Sequence, residues 1–164
     1  MGKVKSSKRS SKATTEMEVD TTPSKVSPTL AYVSPIAQPL ADEKLRKSLT
    51  KTIKKAASKK HVLRGTKEVT KAMRKGSKGL MVLAGDISPI DILSHFPVFC
   101  EDKGIPYVFL PTKKEIGAAC NTKRPTCCCL IVPGGKANDE KALDEYKSNY
   151  DACVEAVKAV NNYI

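Results

Sequence analysis

Three short apolar runs, Leu80–Ala84, Tyr107–Leu110 and Cys127–Val132, stand between stretches whose apolar residues recur every three or four positions. Runs this short suit strands covered on both faces, while the longer spacing marks helices that bury one stripe. Strands alternating with helices predict an α/β domain: a sheet with parallel pairs and helices on both faces.

The helices follow from spacing. Leu45, Leu49, Ile53 and Ala57, with Ala56 beside them, make the stripe of a first helix. A second is expected over about residues 66–75, with Val69, Ala72 and Met73 inward and Gly76 ending it. Val62-Leu63-Arg64-Gly65 reads as a break between the two. Pro89 and Ile90 open a helix that runs to about Cys100, and a short helix runs from Lys113 to about Cys120, followed by a loop from Asn121 to Pro125. The last helix carries Leu143, Tyr146, Tyr150, Cys153, Val157, Val160 and Ile164. That stripe covers barely three heptads, so docking on a sheet fits it better than a coiled coil.

Residues 1–41 are rich in Ser, Thr, Lys and Pro and lack a hydrophobic period, so they are expected to form a disordered arm before a domain of residues 42–164. The cluster Lys3, Lys5, Lys8, Arg9 and Lys12 reads as a nuclear address, an extra phosphate contact or a solvated tail. Ser27-Pro28 and Ser34-Pro35 are exposed-looking modification sites. Met1, Gly2 and Ser6 fit a myristoylation pattern, which a basic, Ser-rich context makes a chance match.

Charge narrows the function. The net charge is +12, which favours a polyanionic partner. Residues 41–78 hold 14 Lys and Arg against 3 Asp and Glu, whereas residues 137–164 hold 3 against 6, so one segment carries the positive field. Aromatic residues make up only 5%, too few for a platform that stacks many bases. No apolar run approaches the ~18 residues of a membrane span, and no apolar signal core follows the N-terminus. The six cysteines include no C-x-x-C pair, and Cys127, Cys128 and Cys129 would point alternately to opposite faces of a strand. They read as buried free thiols of a reducing compartment, with no metal, no cofactor and no catalytic residue expected.

The most informative stretch is Arg64-Gly65-Thr66-Lys67-Glu68-Val69-Thr70-Lys71. A glycine at a helix entrance allows close approach, the first helical amides suit a phosphate, and Arg64, Lys67 and Lys71 add charge. Glu68 is either an acceptor for base amino groups or a first-turn dipole partner paired with a nearby Lys. The loop Asn121–Pro125, with Lys123, Arg124 and Pro125, is either a second RNA contact or a solvated turn.

These residues carry a resemblance. With Leu83-Ala84-Gly85-Asp86-Ile87-Ser88-Pro89-Ile90, Cys100-Glu101-Asp102-Lys103-Gly104-Ile105-Pro106-Tyr107-Val108 and the Ile116–Cys127 loop, the chain resembles the kink-turn-binding family of archaeal and eukaryotic ribosomal and small nucleolar proteins over about residues 42–160. The resemblance implies a three-layer α-β-α sandwich with a small mixed, partly parallel sheet that binds RNA without catalysis. In that family a glycine-asparagine-glutamate segment reads the sheared G·A pairs of a kink-turn. Gly65 and Glu68 match it, but Lys67 stands where the asparagine usually is, which replaces a donor and acceptor by a charged donor. Ile92 matches a position lining the pocket for an extruded base; from its pattern alone it is equally an ordinary core isoleucine. Ala118 stands where tight kink-turn binders often carry arginine, and Asn121 where glycine is frequent.

Lys67 together with Lys123-Arg124-Pro125-Thr126-Cys127 resembles the box H/ACA branch of the family. That branch implies a nuclear, nucleolar particle in which a guide RNA of the H/ACA class directs pseudouridine formation, with telomerase RNA as a further client. It also implies a dyskerin-type pseudouridine synthase as the catalytic subunit and a small H/ACA adaptor protein, nucleolar protein ten, as direct neighbour. The alternative is a kink-turn-specific ribosomal or box C/D protein.

Overall fold

A computed structural model describes residues 32–135 and 140–161. The basic cluster at residues 3–12, the myristoylation pattern, Ser27-Pro28, the side chain of Leu143, and Ile164 lie outside the described residues. In chain order the elements are α1 (Glu43–Ser58), β1 (Val62–Arg64), α2 (Thr66–Arg74), β2 (Leu80–Ala84), a 3₁₀ turn (Ile90–Ile92), α3 (His95–Lys103), β3 (Tyr107–Leu110), α4 (Lys113–Ala119), β4 (Cys128–Ile131) and α5 (Glu140–Val160).

The sheet order is β1-β4-β2-β3. β2 and β3 are parallel, and β4 is antiparallel to both β1 and β2. Every residue of β2, β3 and β4 is buried, as expected of strands covered on both faces. α1 packs on α5 and α4, while α2 packs on β1 and β4. The architecture is the expected three-layer α-β-α sandwich with a small mixed sheet.

α1 buries Leu45, Leu49, Thr52, Ile53 and Ala56, and α2 buries Val69, Ala72 and Met73. In α1 the inward position next to Ala56 is Thr52 rather than Ala57; its hydroxyl donates to Ser48 O and lies 3.5 Å from Cys153 Sγ. Arg46 pairs with Glu115 at 2.8 Å and Lys59 with Glu145 at 2.6 Å, tying α1 to α4 and α5. Beneath α5, the buried His61 Nδ1 and Tyr146 hydroxyl share a hydrogen bond of 2.7 Å.

Three expectations are corrected. The break at 62–65 is an edge strand for Val62–Arg64, paired with Cys129–Ile131. The single helix from Pro89 to Cys100 is a 3₁₀ turn and a separate α3. Proline cannot donate to the carbonyl four residues back and its ring clashes with it, so Pro97 forbids a continuous helix through Leu93. The helix restarts at His95, which leaves Pro97 in its first turn. Third, residues 32–41, expected to belong to the arm, dock on the sheet. Leu40 bridges Phe109 in parallel register, Phe109 N donates to Pro39 O at 2.8 Å, Ala41 N to Phe109 O at 2.9 Å, and Ser34 N to Gly85 O at 2.7 Å. Ser34, Ala37 and Ala41 are buried. This segment covers the otherwise open edge of β3.

Candidate nucleic-acid interface

Strand direction gathers the candidate residues. β1, β2 and β3 all point the same way and β4 runs back, so the carboxyl ends of three strands and the amino end of the fourth share one end of the sheet. The entrance of α2 follows β1 there, the Ile90–Ile92 turn follows β2, α4 follows β3, and the loop Asn121–Cys127 enters β4. This end of an α/β sheet is where the loops are free to make a site. Two amides fix the arrangement: Gly65 N donates to Cys128 O at 3.0 Å and Ala84 N to Cys127 O at 2.9 Å.

Gly65 is the first residue of the opening. Its φ of 84° and ψ of 151° lie in a region that is essentially glycine's alone. No atom lies within 4 Å of where its Cβ would stand, so the space above it is open to an incoming group. No side chain caps α2. α4 is different: Thr112 Oγ1 accepts from Glu115 N at 3.4 Å, and Asp86 Oδ1 accepts from Lys113 N at 2.7 Å. The entrance of α4 is met by side-chain acceptors, whereas that of α2 lacks them, and helix-start amides without them suit an anion. Around it, Arg64, Lys67 and Lys71 are exposed and Thr66 is half-buried.

Glu68 is exposed, and among the described residues it forms no ion pair. The expected alternative, a salt bridge to a nearby Lys, is absent from that set, and the carboxylate is free to accept from a ligand. Glu68 and Lys71 line a shallow cleft with Leu63, Lys75 and Lys78 along the β1 edge. They thus flank the opening, while Arg64 to Lys67 border it directly.

Ile92 is 40% exposed whereas its neighbour Leu93 is 2% exposed. The core reading therefore belongs to Leu93, and Ile92 presents an apolar surface at the same end of the sheet. Lys123, Arg124 and Pro125 are exposed. Their loop is held from beneath: the Thr122 hydroxyl donates to Gly117 O at 3.0 Å and to Arg124 O at 3.1 Å, and a Cβ on Gly117 would stand 2.4 Å from Arg124 O. Gly117 is what allows the loop backbone to lie on α4. Asn121, with φ of 55°, makes the turn that leaves the helix.

Two features escaped the sequence reading. Residues Ser34 and Ile36 border the turn at Ile90, because the supposed arm folds back to it; the apolar residues Ala37, Leu40 and Ala41 were the available signal. The thiols also divide. Five cysteines are buried, but Cys127 is only half-buried. Its sulfur lies 3.9 Å from Cys128 Sγ. The hydrogen bond shared with that neighbour, helped by backbone groups that include Thr66 at the α2 entrance, overcomes burial and brings the Cys127 thiol down to about 6. Burial pushes the Cys100 thiol up to about 12. Among the described residues, no group of three or more His, Cys, Asp or Glu converges on a metal position, and no helix is long and apolar enough to cross a membrane.

Comparison with known proteins gives the family. Residues 47–141 match the ribosomal protein L7Ae/L30e/S12e/Gadd45 family. A Xenopus tropicalis protein named H/ACA ribonucleoprotein complex subunit 2-like protein is 49% identical, over 87% of this chain and 91% of its own length. The Schizosaccharomyces pombe H/ACA ribonucleoprotein complex subunit nhp2 is 54% identical over 64% of this chain and 68% of its own. Among solved structures, a Giardia lamblia 15.5kD RNA binding protein superposes with a TM-score of 0.69 at 35% identity, covering 79% of this chain and 100% of that one. The chain therefore belongs to the ribosomal protein L7Ae/L30e/S12e/Gadd45 family, and within it to the branch of H/ACA ribonucleoprotein complex subunit 2 proteins.

Proposed function

We propose that this protein is a non-catalytic RNA-binding subunit of box H/ACA small nucleolar ribonucleoproteins, acting in the nucleolus. It supports pseudouridine formation directed by a guide RNA, while a dyskerin-type synthase performs the chemistry. The small adaptor, nucleolar protein ten, is its direct neighbour. The observation that carries this reading is the uncapped entrance of α2 at Gly65, ringed by Arg64, Thr66 and Lys67, in a chain whose relatives are named as subunits of that complex. Phosphate meets the α2 amides, Arg64, Lys67 and Lys71; Glu68 accepts from base amino groups; Ile92 receives an apolar base face; and Lys123, Arg124 and Pro125 hold the far side.

Lys67 shapes the specificity. A charged donor in place of an amide keeps phosphate attraction and loses the paired donor and acceptor, so RNA binding by the free chain is mainly electrostatic. Sequencing RNA cross-linked to the protein in cells tests the proposal. Enrichment of H/ACA RNAs over C/D RNAs and ribosomal RNA is the expected result, and enrichment of C/D RNAs overturns it. The kink-turn-specific alternative predicts a preference of about a thousandfold for a kink-turn over a plain stem-loop. Lys67 and the exposed Ala118 at the loop favour only a modest one.

A further inference from the structure

The lysines of α1 are not at the opening of α2. Lys44, Lys51, Lys54 and Lys55 are exposed, and none forms an ion pair among the described residues. They line one bank of a groove of about 810 Å³ between α1 and α5. The groove's floor is formed by Leu45 and Cys153, and its other bank by Ala152, Ala156 and Val160, with Val160 40% exposed.

Three properties decide what fits. On the α1 bank four lysines stand against the single carboxylate Asp42, and none of them is ion-paired among the described residues, so an occupant must bring negative charge to that side. The floor and, apart from Asn149, the α5 bank are apolar, so it must also bring apolar side chains. Among the described residues no aromatic side chain lines the groove to stack a base. Nucleic acid is therefore disfavoured, and a protein segment that is acidic along one edge and apolar along the other satisfies all three conditions.

We propose that the α1–α5 groove docks an acidic amphipathic segment of a partner protein, its carboxylates against Lys44, Lys51 and Lys55 and its apolar side chains against Leu45, Ala156 and Val160. This is the groove mode of segment recognition, with charge setting direction and register. The surface is separate from the RNA face, and the inference does not depend on the RNA assignment.

The test places a photoreactive benzophenone amino acid in the full chain, at Ala156 in one version and at Lys67 in another. The assembled particle is irradiated in cells, and adducts are identified by mass spectrometry. At Ala156 the expected adduct is a partner-protein segment in which Asp and Glu alternate with apolar residues. The pair Lys51→Glu and Lys55→Glu should lower its yield at least about fivefold, and Lys51→Arg with Lys55→Arg should preserve it. An adduct with RNA, with a second copy of this chain, or with a segment lacking acidic residues overturns the inference. So does a yield indifferent to charge reversal, or no adduct at Ala156. RNA captured at Lys67 reports separately on the RNA assignment: its absence beside an acidic adduct at Ala156 would sink that assignment and leave this one standing.

Discussion

Glu68 and Lys71 lie one helical turn apart on α2, yet they should fail differently when removed. On the proposed reading Lys71 meets a phosphate, so Lys71→Ala should weaken all RNAs by similar amounts and flatten the log–log salt dependence by about one unit. Glu68→Ala should cost about 1–3 kcal/mol on the preferred RNA and little on others, with the salt dependence nearly unchanged. Binding isotherms at several salt concentrations on two RNAs check both. Uniformly tighter binding by Glu68→Ala would mean that the carboxylate only repels phosphate. At Cys127 the prediction concerns pH. Its thiol is held low, at about 6, so the thiolate fraction rises through that pH and is largely complete at neutrality. Iodoacetamide should therefore label Cys127 at pH 7 well ahead of Cys100, whose thiol is held up at about 12. Peptide mapping of the alkylated protein reads the order, and equal labelling of the two would contradict the environment described for Cys127.

α4 and the loop that follows it act as one element, because the loop rests on Gly117. A Cβ there would collide with backbone, which cannot swing aside as a side chain can. Gly117→Ala should cost about 1–3 kcal/mol of stability and weaken RNA binding through displaced Lys123 and Arg124. Calorimetry with a binding titration measures both, and an unchanged melting temperature would refute the packing argument. Most elements were legible in the sequence: β2, β3 and β4 as apolar runs, α1, α2 and α5 as stripes, and α4 as a short helix. What escaped has physical reasons. β1 has only three residues, and among the described residues its ladder is with β4, far along the chain; no local period can announce such a strand. The 89–100 segment keeps helical spacing across Leu93 and Phe96, so its pattern hides the interruption that Pro97 imposes. At the site, the sequence identified Gly65 and its charged neighbours, but exposure alone separates Ile92 from Leu93.

For the molecule as a whole, the boundary between arm and domain is a matter of stability. A chain lacking residues 1–31 should melt like the full protein, since that stretch lacks the apolar pattern a core needs. Removing residues 1–41 strips the hydrogen bonds to Gly85 and Phe109, each about 1 kcal/mol, and uncovers the β3 edge. That version should melt measurably lower and aggregate more readily. Thermal melts and light scattering of the two truncations decide it, and identical behaviour would show that residues 32–41 only rest on the surface.

β4 lies between β1 and β2, although it is the last strand to be made. Before Cys128 is in place, β1 has no partner strand and the amide of Gly65 has no carbonyl to hold it. A growing chain thus displays its basic segment early and its α2 opening late. During synthesis it attracts phosphate indiscriminately, with nothing yet shaped to choose among RNAs. On the proposed reading, the opening that chooses among RNAs is complete only once the final strand lies in the middle of the sheet. A message cut short before that strand would yield a loose polycation, not a weaker version of the same binder.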